Sequence, residues 1–189
     1  MESPNKLPVS LAIISLNEES NIERCIRSVP FASEVIVIDS GSTDKTVQLA
    51  EALGAKVIHQ PWLGFYKQKK MATDSCSNDW VISLDADEGL SVAAQVEVTD
   101  ILKSKPEADG YEFPRLSYHM GRWIRHGGWY PDRQLRLFHK NKCHWKEGNV
   151  HEKLEGENIQ RLESPILHWV FKDLTHQVAT NNSYSGLGA

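Results

Sequence analysis

The sequence predicts an α/β fold: a mostly parallel central sheet with helices on both faces, and a mixed extension of that sheet in the C-terminal half. Three observations predict it. Short apolar runs alternate with helix-period segments up to Gly110, as stacked strand-helix-strand units require. The apolar runs end in polar groups, Asn17-Glu18, Asp39-Ser40-Gly41-Ser42-Thr43-Asp44 and Asp85-Ala86-Asp87, and in open parallel sheets ligands sit beyond such strand ends. After Gly110 the pattern changes to aromatic, glycine-containing and basic segments with shorter apolar runs. No internal repeat or low-complexity linker divides the chain, so residues 1–110 and 111–189 read as two halves of one domain.

Val9 to Ser15 reads as the first strand. Ser20 and Glu23 have capping-box spacing ahead of Ile22, Cys25, Ile26 and Val29, which share a helical face. Val35 to Ile38 is a second strand, Asp44 to Leu53 a helix stopped by Gly54, and Lys56 to His59 a third strand. Trp80 to Leu84 is the fourth, and Ser91 introduces a helix from Val92 to Lys103, with Glu88 a charge at its approach. Gly110 to Pro114, Gln134 to His139 and Ile166 to Trp169 are the strands of the extension. Lys172 to Ala189 starts like a helix and stops without a closing element, as a chain truncated at its C-terminus would.

With 189 residues, 40% of them hydrophobic, the chain can bury a substantial core. It contains no apolar run long enough to span a bilayer, and Met1 to Lys6 lacks signal-peptide character, so the expectation is a soluble cytoplasmic protein. Cys25, Cys76 and Cys143 are odd in number and widely spaced, which reads as buried thiols rather than a disulfide framework or a cysteine zinc site. Charge is unevenly distributed. Residues 1–110 carry 10 Lys+Arg against 17 Asp+Glu (−7), residues 111–146 carry 8 against 2 (+6), and the rest carry 3 against 6 (−3), giving −4 in all. The basic segment also holds Trp123, Trp129 and Trp145, but the acidic remainder argues against nucleic acid and for a small anionic ligand or lipid headgroup.

Asp85-Ala86-Asp87-Glu88 drives an apolar run into three carboxylates. Such a cluster needs a compensating cation, and it suits a hard divalent ion holding a diphosphate; the alternative is a solvated acidic turn before a helix. Asp39, before a flexible Ser-Gly turn, either binds a base or ribose hydroxyl or caps its own turn. There is no Gly-x-Gly-x-x-Gly after the first strand and no Gly-x-x-x-x-Gly-Lys-Ser/Thr, which excludes the phosphate loops of dinucleotide oxidoreductases and P-loop NTPases.

The ordered set Asn17-Glu18-Glu19, Val37 to Asp44 and Leu84-Asp85-Ala86-Asp87 resembles the family-2 glycosyltransferases, with their Rossmann-like GT-A fold and Asp-x-Asp motif. His59-Gln60-Pro61-Trp62-Leu63-Gly64-Phe65 with Gln68-Lys69, and Gly121 to Phe138, narrow the resemblance to the lipopolysaccharide or lipooligosaccharide core glucosyltransferase branch. It implies that residues 1–110 bind a nucleotide sugar and residues 111–189 form the acceptor side. The implied reaction is inverting transfer of a hexose, glucose from UDP-glucose in the first instance, to a sugar hydroxyl of a lipid-linked core acceptor. Peripheral contact with the inner face of the cytoplasmic membrane is implied too. By the same resemblance Glu18 and Asp39 contact the nucleoside, Gln68 and Lys69 lie beside the nucleotide, and Asp85 sits between ribose and metal. The resemblance also implies that Asp87 is the principal ligand of Mg²⁺ or Mn²⁺. Leu16 departs from the pattern, standing where many relatives have Tyr.

A departing diphosphate gains negative charge that a divalent ion stabilises, and the acceptor hydroxyl needs a base on the opposite face. Asp132 is the first candidate base and Glu152 the second, with an ion pair to Arg133 or Arg136 as the alternative role for Asp132. His151 is a candidate third ligand of metal or diphosphate. Arg133 and Arg136 are expected to share one face of a strand, towards donor or acceptor phosphates, or to pair structurally. His119, His126, His139, His144, His168 and His176 show no metal-ligand spacing. The aromatic residues of the central block are core or a platform for sugar rings, and Gly127 and Gly128 are candidate hinges of a lid. Two other readings stay open: a nucleotidyltransferase on a similar sheet, which would release pyrophosphate, and a non-catalytic nucleotide-sugar-binding module.

Overall fold

In the computed structural model, which describes residues 6–146 and 152–170, the alternation in the first half becomes β1 (Leu7–Ser15), α1 (Ile22–Arg27), β2 (Ala32–Asp39), α2 (Thr46–Ala52), β3 (Lys56–His59), α3 (Phe65–Asp74), β4 (Trp80–Asp85), β5 (Glu88–Leu90) and α4 (Val92–Lys103). The second half adds β6 (Gly110–His119), β7 (Arg122–Ile124), β8 (Asp132–His139), β9 (His144–Lys146), β10 (Lys153–Glu155), β11 (Ile159–Arg161) and β12 (Ile166–Trp169). Among the described residues ten strands form one sheet, ordered β3-β2-β1-β4-β8-β6-β12-β5, with β7 and β11 also paired to β6; β9 and β10 make a separate hairpin. β3, β2, β1 and β4 run parallel, and β8 enters antiparallel to both β4 and β6.

Strand parity builds a core on each face of the sheet. Val9, Leu11 and Ile13 of β1 point to one side, where Ile22 and Cys25 of α1, Ala50 of α2 and Ala94 and Val98 of α4 pack. Ala12 and Ile14 point to the other, against Ala72 of α3, Cys76, Val81 and Phe138. A strand covered on both faces must be apolar at nearly every position, which is why β1 reads as a continuous run. All three cysteines are buried. Among the described residues no helix is long and apolar enough to cross a membrane.

Several boundaries differ from those expected. Ser20 and Glu23 do not form a capping box: α1 has Asn21 at its N-cap without a side-chain cap bond, and Glu23 pairs with Arg27 at 2.8 Å. α2 begins at Thr46, whose N–H donates to Asp44 at 2.9 Å. Ser91 caps α4 through the Ala94 N–H. Glu88 is not a charge at a helix approach but a buried residue of β5. β6 and β8 extend beyond their apolar cores, to His119 and back to Asp132. The sequence pattern did not delimit α3, because its buried face is Gln68, Lys69, Ala72 and Thr73, and a largely polar buried face leaves little apolar periodicity. His151 and the segment 172–189 lie outside the described residues.

Register brings the strand ends to one level. Ser15 is opposite Asp39 in the β1–β2 pair, Ile14 opposite Asp85 in the β1–β4 pair, and Asp39 opposite His59 in the β2–β3 pair.

Candidate active site

Asp39 ends β2 and is fully buried. Its Oδ2 accepts the N–H groups of Gly41 (3.0 Å) and Ser42 (2.9 Å), and its Oδ1 accepts the hydroxyls of Ser15 (3.2 Å) and Ser42. Gly41 has φ +103°, a backbone shape that favours glycine, and this lets the turn fold back onto the carboxylate. Burial alone would raise the Asp39 pKa, but these donors hold it below the usual carboxylate range. The Asn17–Glu18 turn is laced to the same loop: Asn17 N–H donates to Ser42 Oγ at 2.9 Å, and Thr43 N–H to Asn17 Oδ1 at 2.8 Å. Asp39 therefore supports its turn and does not itself line the cleft, whereas Ser15, Glu18 and Ser40 do. Gln68, fully buried, holds the turn from below by donating to Ser40 Oγ (2.9 Å) and the Gln60 carbonyl (3.1 Å).

Asp85 ends β4 differently. Parity puts it on the α3 face with Val81 and Ser83, where Lys69 Nζ lies 2.9 Å from Oδ1 and 3.2 Å from Oδ2. Arg136 Nη2 reaches Asp85 Oδ2 and Glu88 Oε1, both at 2.9 Å. Arg115 Nη1 lies 3.2 Å from the same Glu88 oxygen, and its Nε donates to Asp132 Oδ2 at 2.8 Å. Lys69 also pairs with Glu152 at 2.7 Å, joining β10 to the cluster. Burial opposes ionisation of Asp85 and Glu88, yet the Lys69, Arg136 and Arg115 charges outweigh it and hold both carboxyls below their usual range. Burial likewise opposes the charge on Arg136, and the Glu88 and Asp85 carboxylates raise its pKa above the ordinary guanidinium value. Paired, hydrogen-bonded burial is what such charges require.

A one-residue irregularity aims Arg136. β6 pairs Tyr111 with Leu137 and Glu112 with Leu135, leaving Arg136 as the extra residue of a β-bulge. In a regular strand Arg133 and Arg136, three apart, would face opposite sides. Here both line one cleft, although Arg136 is committed to Asp85 and Glu88 while Arg133 donates to the Leu162 carbonyl at 2.9 Å. Asp132 does not pair with Arg133 or Arg136. It lies opposite Arg115 across β6–β8 and bonds it, while its Oδ1 accepts the Gln134 amide at 2.8 Å.

Asp87 has a partner that sequence spacing did not identify. Its Oδ2 lies 3.3 Å from His168 Nε2, and Ser117 Oγ contacts the other ring nitrogen at 3.3 Å. Pairing of Glu88 with His168 across β5–β12, and the Trp169 N–H to Asp87 carbonyl bond at 2.9 Å, fix this approach. Burial would lower the His168 pKa, but the Asp87 carboxylate and the Glu88 charge raise it. The two residues are 81 positions apart, so only strand pairing joins them.

These groups line a cleft of about 1060 Å³ with exposed Leu16, Trp62 and Phe65 at its apolar part. A smaller cavity of about 590 Å³ adjoins it, and Arg115, Arg133 and His168 line both. Of the candidates read from sequence, Glu18, Lys69, Asp85, Asp87, Arg133, Arg136 and Glu152 line the larger cleft and Asp132 the smaller cavity; Asp39 and Gln68 sit behind the wall. A divalent ion fits Asp87 and His168, a carboxylate and an imidazole whose second nitrogen is already held, as metal-binding histidines usually are. Among the described residues no group of three or more His, Cys, Asp or Glu could hold a metal, so an ion here would take further ligands from a bound diphosphate.

Residues 10–153 match the family described as Glycosyl transferase family 2. A lipopolysaccharide core biosynthesis glycosyltransferase, LpsC of Rhizobium meliloti (strain 1021), is 32% identical over 97% of this chain and 71% of its own length. A protein of Rickettsia bellii (strain RML369-C), described as an uncharacterized glycosyltransferase, is 47% identical over 71% of the chain; the match spans 44% of that relative's length. In fold, the chain is similar to the crystal structure of S. aureus TarS 1-349 in complex with UDP-GlcNAc, with a TM-score of 0.66, 16% identity, and coverage of 90% of this chain and 60% of that one. By the extent of the family match and its likeness to LpsC, the chain belongs to glycosyl transferase family 2.

Proposed function

We propose that the protein transfers a hexose from a UDP-sugar, glucose from UDP-glucose in the first instance, to a sugar hydroxyl of a lipopolysaccharide-core-type acceptor with inversion, at the inner face of the cytoplasmic membrane. The observation that carries the reading is the convergence of the β1, β2 and β4 ends on one cleft that also holds Lys69, Asp87 and His168. The likeness to LpsC, a lipopolysaccharide core biosynthesis glycosyltransferase, and the UDP-GlcNAc complex of TarS support it.

The nucleoside lies against Leu16, Glu18 and Ser40, over the turn that Asp39 and Gln68 hold rigid. Lys69 meets the diphosphate. Asp87 and His168 would hold Mg²⁺ or Mn²⁺, which would supply Lewis-acid stabilisation of the departing diphosphate. Asp85 keeps Lys69 and Arg136 in place. The acceptor oxygen forms the new bond to the anomeric carbon, the bond to the diphosphate oxygen breaks, and the hydroxyl proton passes to a carboxylate. Asp132 is assigned that role because it stands in the adjoining cavity with Oδ1 outside the Arg115 clamp; Glu152, on the donor side and paired with Lys69, is the second choice.

Calorimetry with UDP-, GDP- and ADP-sugars, with and without Mn²⁺, tests the reading. Metal-dependent binding of a UDP-sugar, weakened about tenfold or more by Lys69→Met, is expected. Absence of any metal-dependent nucleotide binding overturns it.

A further inference from the structure

The smaller cavity has a chemistry of its own. Its walls include the backbone at Gly127 and Gly128, where an added Cβ would meet open space, and the half-exposed ring of Trp129. Its charged groups are not equivalent. Arg115 and Asp132 bond each other, and His168 faces Asp87. Arg133 has no comparable partner: one nitrogen donates to the Leu162 carbonyl, and the nearest carboxylate, Glu163, stands 3.7 Å away with its side chain 89% exposed, where water screens it. The exposed Arg122 and Arg125 precede Gly127 in the chain. Arg133 therefore brings a weakly compensated guanidinium into the cavity.

We propose that this cavity is an acceptor subsite that selects an anionic saccharide, one carrying a carboxylate or a phosphate beside the accepting sugar, with Arg133 holding the anion and Trp129 stacking on the ring. The guanidinium fork matches either anion in bidentate geometry, and an aromatic face suits the apolar face of a sugar. Asp132 and Arg133 line the same cavity, so an anion held at Arg133 leaves the accepting hydroxyl in the space that Asp132 borders. The proposal rests on the glycosyl-transfer reading and adds the acceptor's charge to it.

The test is ligand-observed NMR and calorimetry on the full chain in saturating UDP and Mn²⁺, with glucuronate, glucose 6-phosphate and glucose as probes. Expected are binding of at least one anionic probe about tenfold tighter than glucose, loss of that preference in Arg133→Gln, its partial retention in Arg133→Lys, and weakened binding of all three probes in Trp129→Ala. Glucuronate and glucose 6-phosphate decide between carboxylate and phosphate. Equal binding of glucose and both anions, or an unchanged preference in Arg133→Gln, overturns the proposal while UDP binding leaves the donor reading intact. A parallel fall in UDP affinity in Arg133→Gln assigns Arg133 to the donor and also overturns it. Failure of the unaltered chain to bind UDP removes both readings.

Discussion

Asp39 and Asp85 end parallel strands at nearly the same level of one sheet, yet they are kept ionised by opposite means. Asp39 is satisfied within its own neighbourhood: two N–H groups and a hydroxyl of the next three residues, and the hydroxyl of Ser15 on the adjacent strand. Asp85 is satisfied by Lys69 from α3 and Arg136 from a bulge in β8, with Glu88 sharing the same arginine. The first arrangement makes a rigid wall. The second stores charge beside the cleft, where a cationic side chain can be shared between the protein's carboxylates and an anionic ligand.

The largest effect that would break this contrast is at Asp87, the carboxylate beside Asp85 that is not clamped by an arginine or lysine. Asp87→Asn is expected to lower UDP release from a UDP-sugar by about 10²–10³-fold, the scale of losing one strong electrostatic contact to a transition state. Unchanged turnover would place the chemistry elsewhere. Arg136→Met comes next. It strips Asp85 and Glu88 of a shared buried partner, and urea unfolding should show a loss of about 3–5 kcal/mol. A loss under about 1 kcal/mol would mean that Lys69 and Arg115 suffice.

Asp39→Asn should cost less, about 1–2 kcal/mol, because its turn hydrogen bonds are weakened while its ion-pair contact, His59 Nδ1 at 3.5 Å, is solvent-exposed. Its pH dependence sharpens the comparison. The folded pKa of Asp39 lies below its unfolded value, so its contribution is fully present above the unfolded pKa of about 3.9 and is lost as pH falls through the folded pKa. Acid unfolding followed by circular dichroism should therefore be steeper below about pH 4 in the unaltered protein than in Asp39→Asn. Superimposed curves would show that the turn does not depend on the charge.

Much of the Asp39 region could be read from the chain, since an Asp followed by Ser-Gly-Ser-Thr writes its own turn. What stayed open was whether the carboxylate points at the turn or at a ligand, and four donors converging on it decide for the turn. The Asp85 region was legible as an acid cluster at a strand end, and the family resemblance singled out Lys69 without indicating that Asp85 is its partner. Its cations were not. Arg115 carried no signal beyond its charge, and its pairing with Asp132 depends on which residues face one another across β6–β8. Glu88 looked like a charge near a helix because the helix does follow; the three-residue strand that buries it forms only by pairing with β12. A His in apolar surroundings is usually structural, so His168 gave no reason for selection until Asp87 was found opposite it.

The sequence alone determined the alternation of strands and helices, the two-sided burial of β1, the carboxylates at the strand ends and the basic character of residues 111–146. Each of these follows from residues within one element or one turn, where backbone geometry sets which side chains share a face. The tertiary structure decided that Arg136 turns inward at a bulge, that Arg115 rather than Arg133 binds Asp132, that Asp39 faces its own loop and that His168 meets Asp87. Those outcomes depend on register between segments far apart in the chain, and a register shift of one residue would reverse which face each side chain occupies.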